Sequence, residues 1–422
     1  MIGNVSHSLK MLSIGKRLKT IINPMKYLNF KNVLSPLSFR LKIFIKNKFK
    51  PKNIRDVVAE NIIPQMDTSL FWYVIDEVKN IRKNKLYKKT IYNKNYVFWK
   101  NEQNEYIAMD NSCNHRGASL VMGKIENDFV ICPYHGAKIN KYGNLIEIPG
   151  YKYTEKKRTN FSLPCFQQRS YPIVEKNGWI YLNTIDKTQY ANNTRIDTGI
   201  DTCIHTYKEQ IYEEPEATDS DFCCIYDNTK IKSSSRTVSE NLLDIMHIAF
   251  VHTFGNNYNP LPLNDIHPVK DDTNPNHYKT TYIYESGQNS IANKVYSINH
   301  VIVENEFILP HTVISRVKFD KNTKTIVTNA LPVDENHTQL FIKVYRNFWY
   351  IKSFLFLEKM YNCIGDYLIM MLLKPTVKED KDILENISPE ERDGKYNMKY
   401  DKFSYMYRQL YNKYVRKQDK SL

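Results

Sequence analysis

"CNHRGASLVMGKIENDFVICPYHG", residues 113–136, carries two short arms, each offering one cysteine and one histidine. Cys113 and His115 are separated by one residue, Cys132 and His135 by two, and sixteen residues lie between the arms. Structural zinc sites usually join two close cysteines to two histidines set several residues apart, so that each pair can chelate. A cluster of two irons accounts for the mixed order: Cys113 and Cys132 hold one iron, His115 and His135 the other, and each loop reaches both metals. Imidazoles in place of two thiolates leave such a cluster less negative and raise its potential. Gly117 and Gly136 follow the histidines and permit tight turns, while Pro133 stiffens the second arm.

Around these arms, from about Phe71 to Thr184, the pattern is one of short strands and turns. "TIYNKNYVFWK" (90–100) and "EYIAMD" (105–110) each predict a strand, and "YPIVEKNGWIYLN" (171–183) predicts a hairpin turning at Asn177-Gly178. A small all-β domain is expected here. The polar, aperiodic stretch Thr188–Thr202 is a candidate linker. Beyond it "SENLLDIMHIAFVH" (239–252) has helical character, and a run of strands follows from Thr280: "TTYIYES", "NKVYSINHVIV", "FILPHTVISRVKF", "TIVTNALPV" and "TQLFIKVYRNFW". Short polar turns, "DKNTK" and "VDENH", separate the later ones, and from Ile351 the pattern returns to helix. An antiparallel sheet with helices before and after it makes the second part α+β.

Composition narrows the partners. A chain of 422 residues can bury a real core in two or three domains. Its seven cysteines include no C-x-x-C pair, and a reducing compartment, the cytoplasm or an organelle, is expected. The net charge of +15 is concentrated at one end: residues 1–55 hold 13 of the 60 Lys and Arg and no Asp or Glu, leaving 47 basic against 45 acidic residues, a net of +2. A nucleic-acid footprint across the fold is therefore not expected. The leading segment, with "SLKMLSIGKRLKTII", has the composition of an organelle transit peptide and equally that of a basic tail in a Lys- and Asn-rich chain. No apolar run reaches the length of a membrane span, because "SFLFLEKMYNCIGDYLIMMLL" is broken by Glu358, Lys359 and Asp366.

A second constellation lies downstream. Asn241, Asp244 and His247 are three apart and are expected along one side of a helix. His252, five residues after His247, is turned about 140° from it on a regular helix, so both can meet one ion only if the helix ends or bulges between Ile248 and Val251. Two amphipathic-helix histidines, one satisfied by Asp244 and one at a frayed end, fit the segment alone equally well. In "PTVKEDKDILENI" (375–387) Asp380 lies within an apolar stripe of Val377, Ile383, Leu384 and Ile387, with Glu379, Asp382 and Asn386 opposite. A buried carboxylate there needs a cation, a metal or a Lys or Arg partner, or strong hydrogen bonds. Two histidines and one carboxylate form the facial arrangement that leaves open positions on Fe(II).

The first constellation resembles the Rieske [2Fe-2S] domain, and the likeness continues through "DNSCNHRGASLVMG" and "VICPYHGAKINKYGNLIEIPG", with Ala137 where an aromatic residue commonly follows the His-Gly pair. With the second constellation, the chain from about Phe71 to Ile387 resembles the Rieske non-haem iron oxygenases of ring-hydroxylating α-subunit type. The likeness is to the monooxygenase branch that includes oxidative demethylases of aromatic methyl ethers. The resemblance implies an N-terminal extension over 1–60, a Rieske domain over 61–190 and a helix-grip catalytic domain over 191–422. It also implies that His247, His252 and Asp380 bind Fe(II), that Asp244 is a bridging carboxylate, and that Asn241 fills a polar position of the motif. A homotrimer is implied as well, in which Asp244 bonds His247 within its subunit and His135 across the interface.

The resemblance further implies a small aromatic or cyclic substrate, dioxygen as co-substrate, and hydroxylation or oxidative demethylation. No G-x-G-x-x-G run is present, so the electrons are expected from a separate ferredoxin or flavoprotein reductase. Two other readings stand beside this one. A non-enzymatic Rieske electron carrier predicts no iron beyond the cluster. A plastid oxygenase of a chlorophyll derivative is permitted by the transit-like segment, although "YNKYVRKQDKSL" does not resemble the C-terminal anchor usual in those relatives. Zinc-stabilised nucleic-acid binding fails on ligand spacing and on the near-neutral core.

Overall fold

In the computed structural model of the chain, the described residues are 71–149, 167–185, 211–272, 274, 276–352 and 356–415. The basic extension, the candidate linker and the expected boundary at 190–191 lie outside them.

The first part of the chain is all-β apart from short single turns. Its strands are β1 (Trp72–Glu77), β2 (Tyr87–Ile91), β3 (Lys94–Lys100), β4 (Tyr106–Asp110), β5 (Lys124–Glu126), β6 (Phe129–Ile131), β7 (Lys138–Ile139), β8 (Leu145–Glu147), β9 (Ser170–Tyr171), β10 (Ile173–Lys176) and β11 (Trp179–Asn183). They form three antiparallel sheets, ordered β1-β11-β10, β2-β3-β4-β9 and β5-β6-β7-β8. Asn177 and Gly178 take φ of 49° and 78°, the hairpin conformation expected of an Asn-Gly pair. The stretch 90–100 departs from expectation: it is two strands joined at Tyr92-Asn93, with φ of 46° and 63°. No glycine announces this turn. Tertiary bonds hold it, because the Tyr92 and Asn93 amides donate to the carbonyls of Pro332 and Val333, and the Tyr92 hydroxyl lies 2.9 Å from that of Tyr411.

The second part holds a seven-stranded antiparallel sheet, β12-β18-β17-β16-β15-β14-β13. Its strands are β12 (Cys223–Ile231), β13 (Val269–Lys270), β14 (His277–Glu285), β15 (His300–Ile308), β16 (Thr312–Phe319), β17 (Asn322–Pro332) and β18 (Thr338–Arg346). The helices that bear on the site are α1 (Ser235–Leu243), α2 (His247–Val251), α3 (Phe356–Leu384) and α4 (Lys402–Tyr414). The class is α+β, as expected. Two expected strands are corrected. Residues 307–319 are the end of β15 and all of β16, separated around Pro310, which has no amide to donate to a ladder. In 293–303 only His300 onward is strand, because Ser290 caps a helical turn, Ile291–Lys294, by accepting from the Asn293 amide. One apolar core runs through both parts. Within it Trp179 of β11 meets Phe341 of β18 edge to face, and the Lys343 ammonium lies 3.9 Å from the Trp179 ring centroid.

The helices that carry the second constellation are interrupted. Helix α1 starts at Ser234, whose hydroxyl accepts from the Thr237 amide, and stops at Leu243. Asp244 is extended (φ −74°, ψ 124°), so Asn241, Asp244 and His247 do not share one helix face as expected. After two residues α2 begins at His247 and ends at Val251, and His252 is again extended (φ −100°, ψ 137°). This exit frees His252 from the 140° offset. On α3, Ile383 is 48% exposed, so the apolar stripe around Asp380 is narrower than its sequence indicates.

Candidate metal centres

The two arms of the first constellation fold alike. In the first, the Cys113 amide donates to the Ala118 carbonyl and the Gly117 amide to the Cys113 carbonyl. In the second, Cys132 donates to Ala137 and Gly136 to Cys132. Gly117 and Gly136 take φ of 73° and 68°, a region that other residues enter at a cost. Both cysteines are buried and both histidines are exposed. The two imidazole Nδ1 atoms lie 3.2 Å apart. Burial pushes the Cys113 thiol above its ordinary value, and Cys132 beside it adds to the rise. Two buried thiols and two ring nitrogens that approach each other are the donor types a two-metal cluster would take, with Cys113 and Cys132 holding one iron and His115 and His135 the other. Ala137, at the position where an aromatic residue commonly follows the His-Gly pair, is buried.

The second constellation gathers on α1, α2 and α3. The ligating atoms of His247, His252 and Asp380 all lie within 4.8 Å of one another. Asp380 Oδ1 is 3.3 Å from His247 Nε2 and 3.4 Å from His252 Nε2. No Lys or Arg pairs with Asp380 among the described residues; Asn241 Nδ2 donates to its Oδ1 at 3.0 Å instead. Burial opposes the imidazolium of His247, but the Asp380 carboxylate and, behind it, Asp244 together outweigh it and raise the pKa. Each ring is also held from behind, which fixes its tautomer and aim. His247 Nδ1 lies 2.7 Å from the Asp244 carbonyl oxygen, and His252 Nδ1 lies 2.9 Å from Glu379 Oε2. The His252 ring stacks on Phe254, with centroids 5.0 Å apart.

Two assignments change here. Asp244 was expected to bond the His247 ring through its carboxylate, yet the ring meets its backbone carbonyl. Its Oδ1 accepts from the amides of Met246 and His247, closing the start of α2. Glu379, placed opposite Asp380 from the sequence, faces His252. Adjacent helical residues are about 100° apart, not 180°, and a glutamate spans that angle. The only signal for Glu379 was its place next to Asp380.

These donors open onto a cavity of about 250 Å³ between the large sheet and the helices. Its walls are mainly apolar: Tyr282 and Tyr284 of β14, Val301 and Val303 of β15, Val317 of β16, and Ile369 and Leu373 of α3.

Residues 71–167 match the family model of the Rieske [2Fe-2S] domain, and residues 231–417 match that of the vanillate O-demethylase oxygenase C-terminal domain. The chain belongs to the Rieske non-haem iron oxygenases. Among relatives of this family, the iron-sulfur subunit of the toluene-4-sulfonate monooxygenase system of Comamonas testosteroni is 30% identical over 181 residues, which are 43% of this chain and 45% of that protein. The vanillate O-demethylase oxygenase subunit of Pseudomonas strain HR199 is 26% identical over 183 residues, 43% of this chain and 44% of that protein. The chain thus spans less than half the length of these relatives. Dicamba monooxygenase bound to dicamba shares the fold with a TM-score of 0.64 at 16% identity, over 85% of this chain and 98% of that one. For a Rieske oxygenase the cofactors are a [2Fe-2S] cluster and a mononuclear Fe(II), and the donor types of the two constellations fit them in that order.

Proposed function

We propose that the chain is the oxygenase subunit of a system that hydroxylates or oxidatively demethylates a small aromatic or cyclic molecule, with electrons from a separate ferredoxin or flavoprotein reductase. The observation that carries the reading is the convergence of His247, His252 and Asp380, with no basic residue among the described ones paired to the carboxylate, at the wall of an apolar cavity. When bound, the cluster supplies single electrons and the iron activates dioxygen for attack on a C–H bond. Cys113, His115, Cys132 and His135 would hold the first group, and His247, His252 and Asp380 the second.

The remaining residues orient and enclose. Glu379 and the Asp244 carbonyl fix the two imidazoles, Asn241 holds the Asp380 carboxylate in its rotamer, and the apolar walls exclude bulk water from the reacting carbon. The working form in this reading is a homotrimer in which His135 of one protomer approaches Asp244 of the next. Two features favour it: His135 is exposed at a loop tip, and Asp244 Oδ2 has no hydrogen-bond partner among the described residues. A simple electron carrier would have no use for the second donor set.

The test is a single turnover of chemically reduced protein in ¹⁸O-labelled dioxygen with a panel of methylated and aromatic compounds. One labelled oxygen in a hydroxylated product, or a demethylated product with formaldehyde, is expected from the wild type and not from Asp380→Ala. Equal product from both proteins would sink the reading.

A further inference from the structure

Lys324 sits in the cavity wall on β17, beside Ile326 on the same face of the strand. Among the described residues its ammonium has neither a hydrogen-bond acceptor nor an ion-pair partner, and burial lowers its pKa. The neighbouring charges are already spoken for. Arg346, opposite Lys324 in the β17–β18 register, donates to the carbonyls of Phe348 and Trp349 and to Asp366 of α3. On the other face of the sheet Arg316 pairs with Glu216 and Glu306, and Lys343 with Glu214. Apart from Lys324, the ionisable side chains lining this cavity are His247, His252, Asp380 and two tyrosines, Tyr282 and Tyr284. An amine in an apolar wall without a counter-charge is costly, and no hydrogen bond or ion pair among the described residues offsets that cost.

From this we infer that Lys324 is the receptor for an acidic group of the substrate, a carboxylate or a sulfonate, carried on an apolar ring. The inference rests on reading the cavity as the substrate site. Along α3 the cavity runs from Asp380 back to Ile369, eleven residues, or roughly 16 Å at the rise of a helix. The Arg346–Asp366 pair places Lys324 toward the Ile369 end. A molecule anchored by its acid there presents its opposite end to His247, His252 and Asp380. A cavity of about 150 Å³ accepts benzene, so one of about 250 Å³ suits a single substituted ring.

Matched pairs test the inference: 4-methoxybenzoate against 4-methoxybenzamide, and toluene-4-sulfonate against toluene-4-sulfonamide, titrated calorimetrically into the holoprotein and into Lys324→Met. The wild type is expected to bind at least one acid about tenfold more tightly than its amide, the size of one charge-assisted contact. Lys324→Met is expected to lose that preference and leave the amide within about twofold. Because the variant removes a desolvated charge and keeps the length, its melting temperature is expected to stay level or rise. An acid preference that survives in Lys324→Met, a wild type that prefers the amides, or failure of both acids to bind would overturn the inference, as would a clear fall in melting temperature, which would mean the amine has a partner. Acid binding through Lys324 without turnover of any compound would leave the anion site standing and count against the proposed reaction instead.

Discussion

Glu379 holds the His252 ring through a 2.9 Å contact, while Asp380 meets both imidazoles with one oxygen. Removing each carboxylate should therefore have different consequences. Glu379→Gln keeps the shape and drops the charge that aims His252, and the affinity for mononuclear iron is expected to fall about 10- to 100-fold. Iron content after dialysis against graded chelator measures this, with the cluster absorbance unchanged. A wild-type chelation curve would show that Glu379 does not orient a ligand. Asp244 presents a third case, since its Oδ1 accepts from the Met246 and His247 amides. Asp244→Ala should destabilise the fold by about 1 kcal/mol, the worth of a helix-capping bond, whereas Asp244→Asn retains an acceptor and should unfold in urea close to the wild-type midpoint. If the trimer contact is right, Asp244→Asn nonetheless slows reoxidation of the cluster. Equal unfolding midpoints for the Ala and Asn variants would remove the capping role.

At the scale of elements, the cluster loops were legible because their logic is local. Cysteine, histidine and glycine at fixed offsets mark both the candidate ligands and the turns, and Gly136 takes the positive φ its place demanded. A Cβ at Gly136 would stand 2.8 Å from Pro149 Cγ as well as in a strained backbone region. Gly136→Ala is expected to cut cluster incorporation, read as the ratio of visible to protein absorbance; full incorporation would contradict the loop's account. The turn at Tyr92-Asn93 was not legible, because bonds to Pro332, Val333 and Tyr411 impose it from the far end of the chain. Nor was the break at Asp244. Helical periodicity continues through residues 239–252, and only the capping bonds and the demand that two rings meet one carboxylate interrupt it. Asp380 was legible as a charge in an apolar stripe. Its neighbour Glu379 was not, because a flanking side chain and an opposite one look alike until the partner ring is placed.

For the whole molecule, the four candidate cluster residues, with His115 and His135 at exposed loop tips, lie outside the lining of the cavity behind His247, His252 and Asp380. The division into an all-β part and an α+β part could be read from strand lengths and turn chemistry, whereas the shared core that joins them depends on contacts such as Trp179 with Phe341 that no local pattern encodes. The central claim is that this chain holds a second iron, apart from the cluster, on those three residues. Total iron per chain, measured beside the cluster spectrum in wild type and Asp380→Ala, tests it most directly. A [2Fe-2S] cluster plus a mononuclear ion gives about three irons per wild-type chain, and Asp380→Ala should hold about two with its cluster spectrum intact. Asp380→Ala that retains about three irons, or wild type that never exceeds about two after anaerobic loading with Fe(II), would contradict the account.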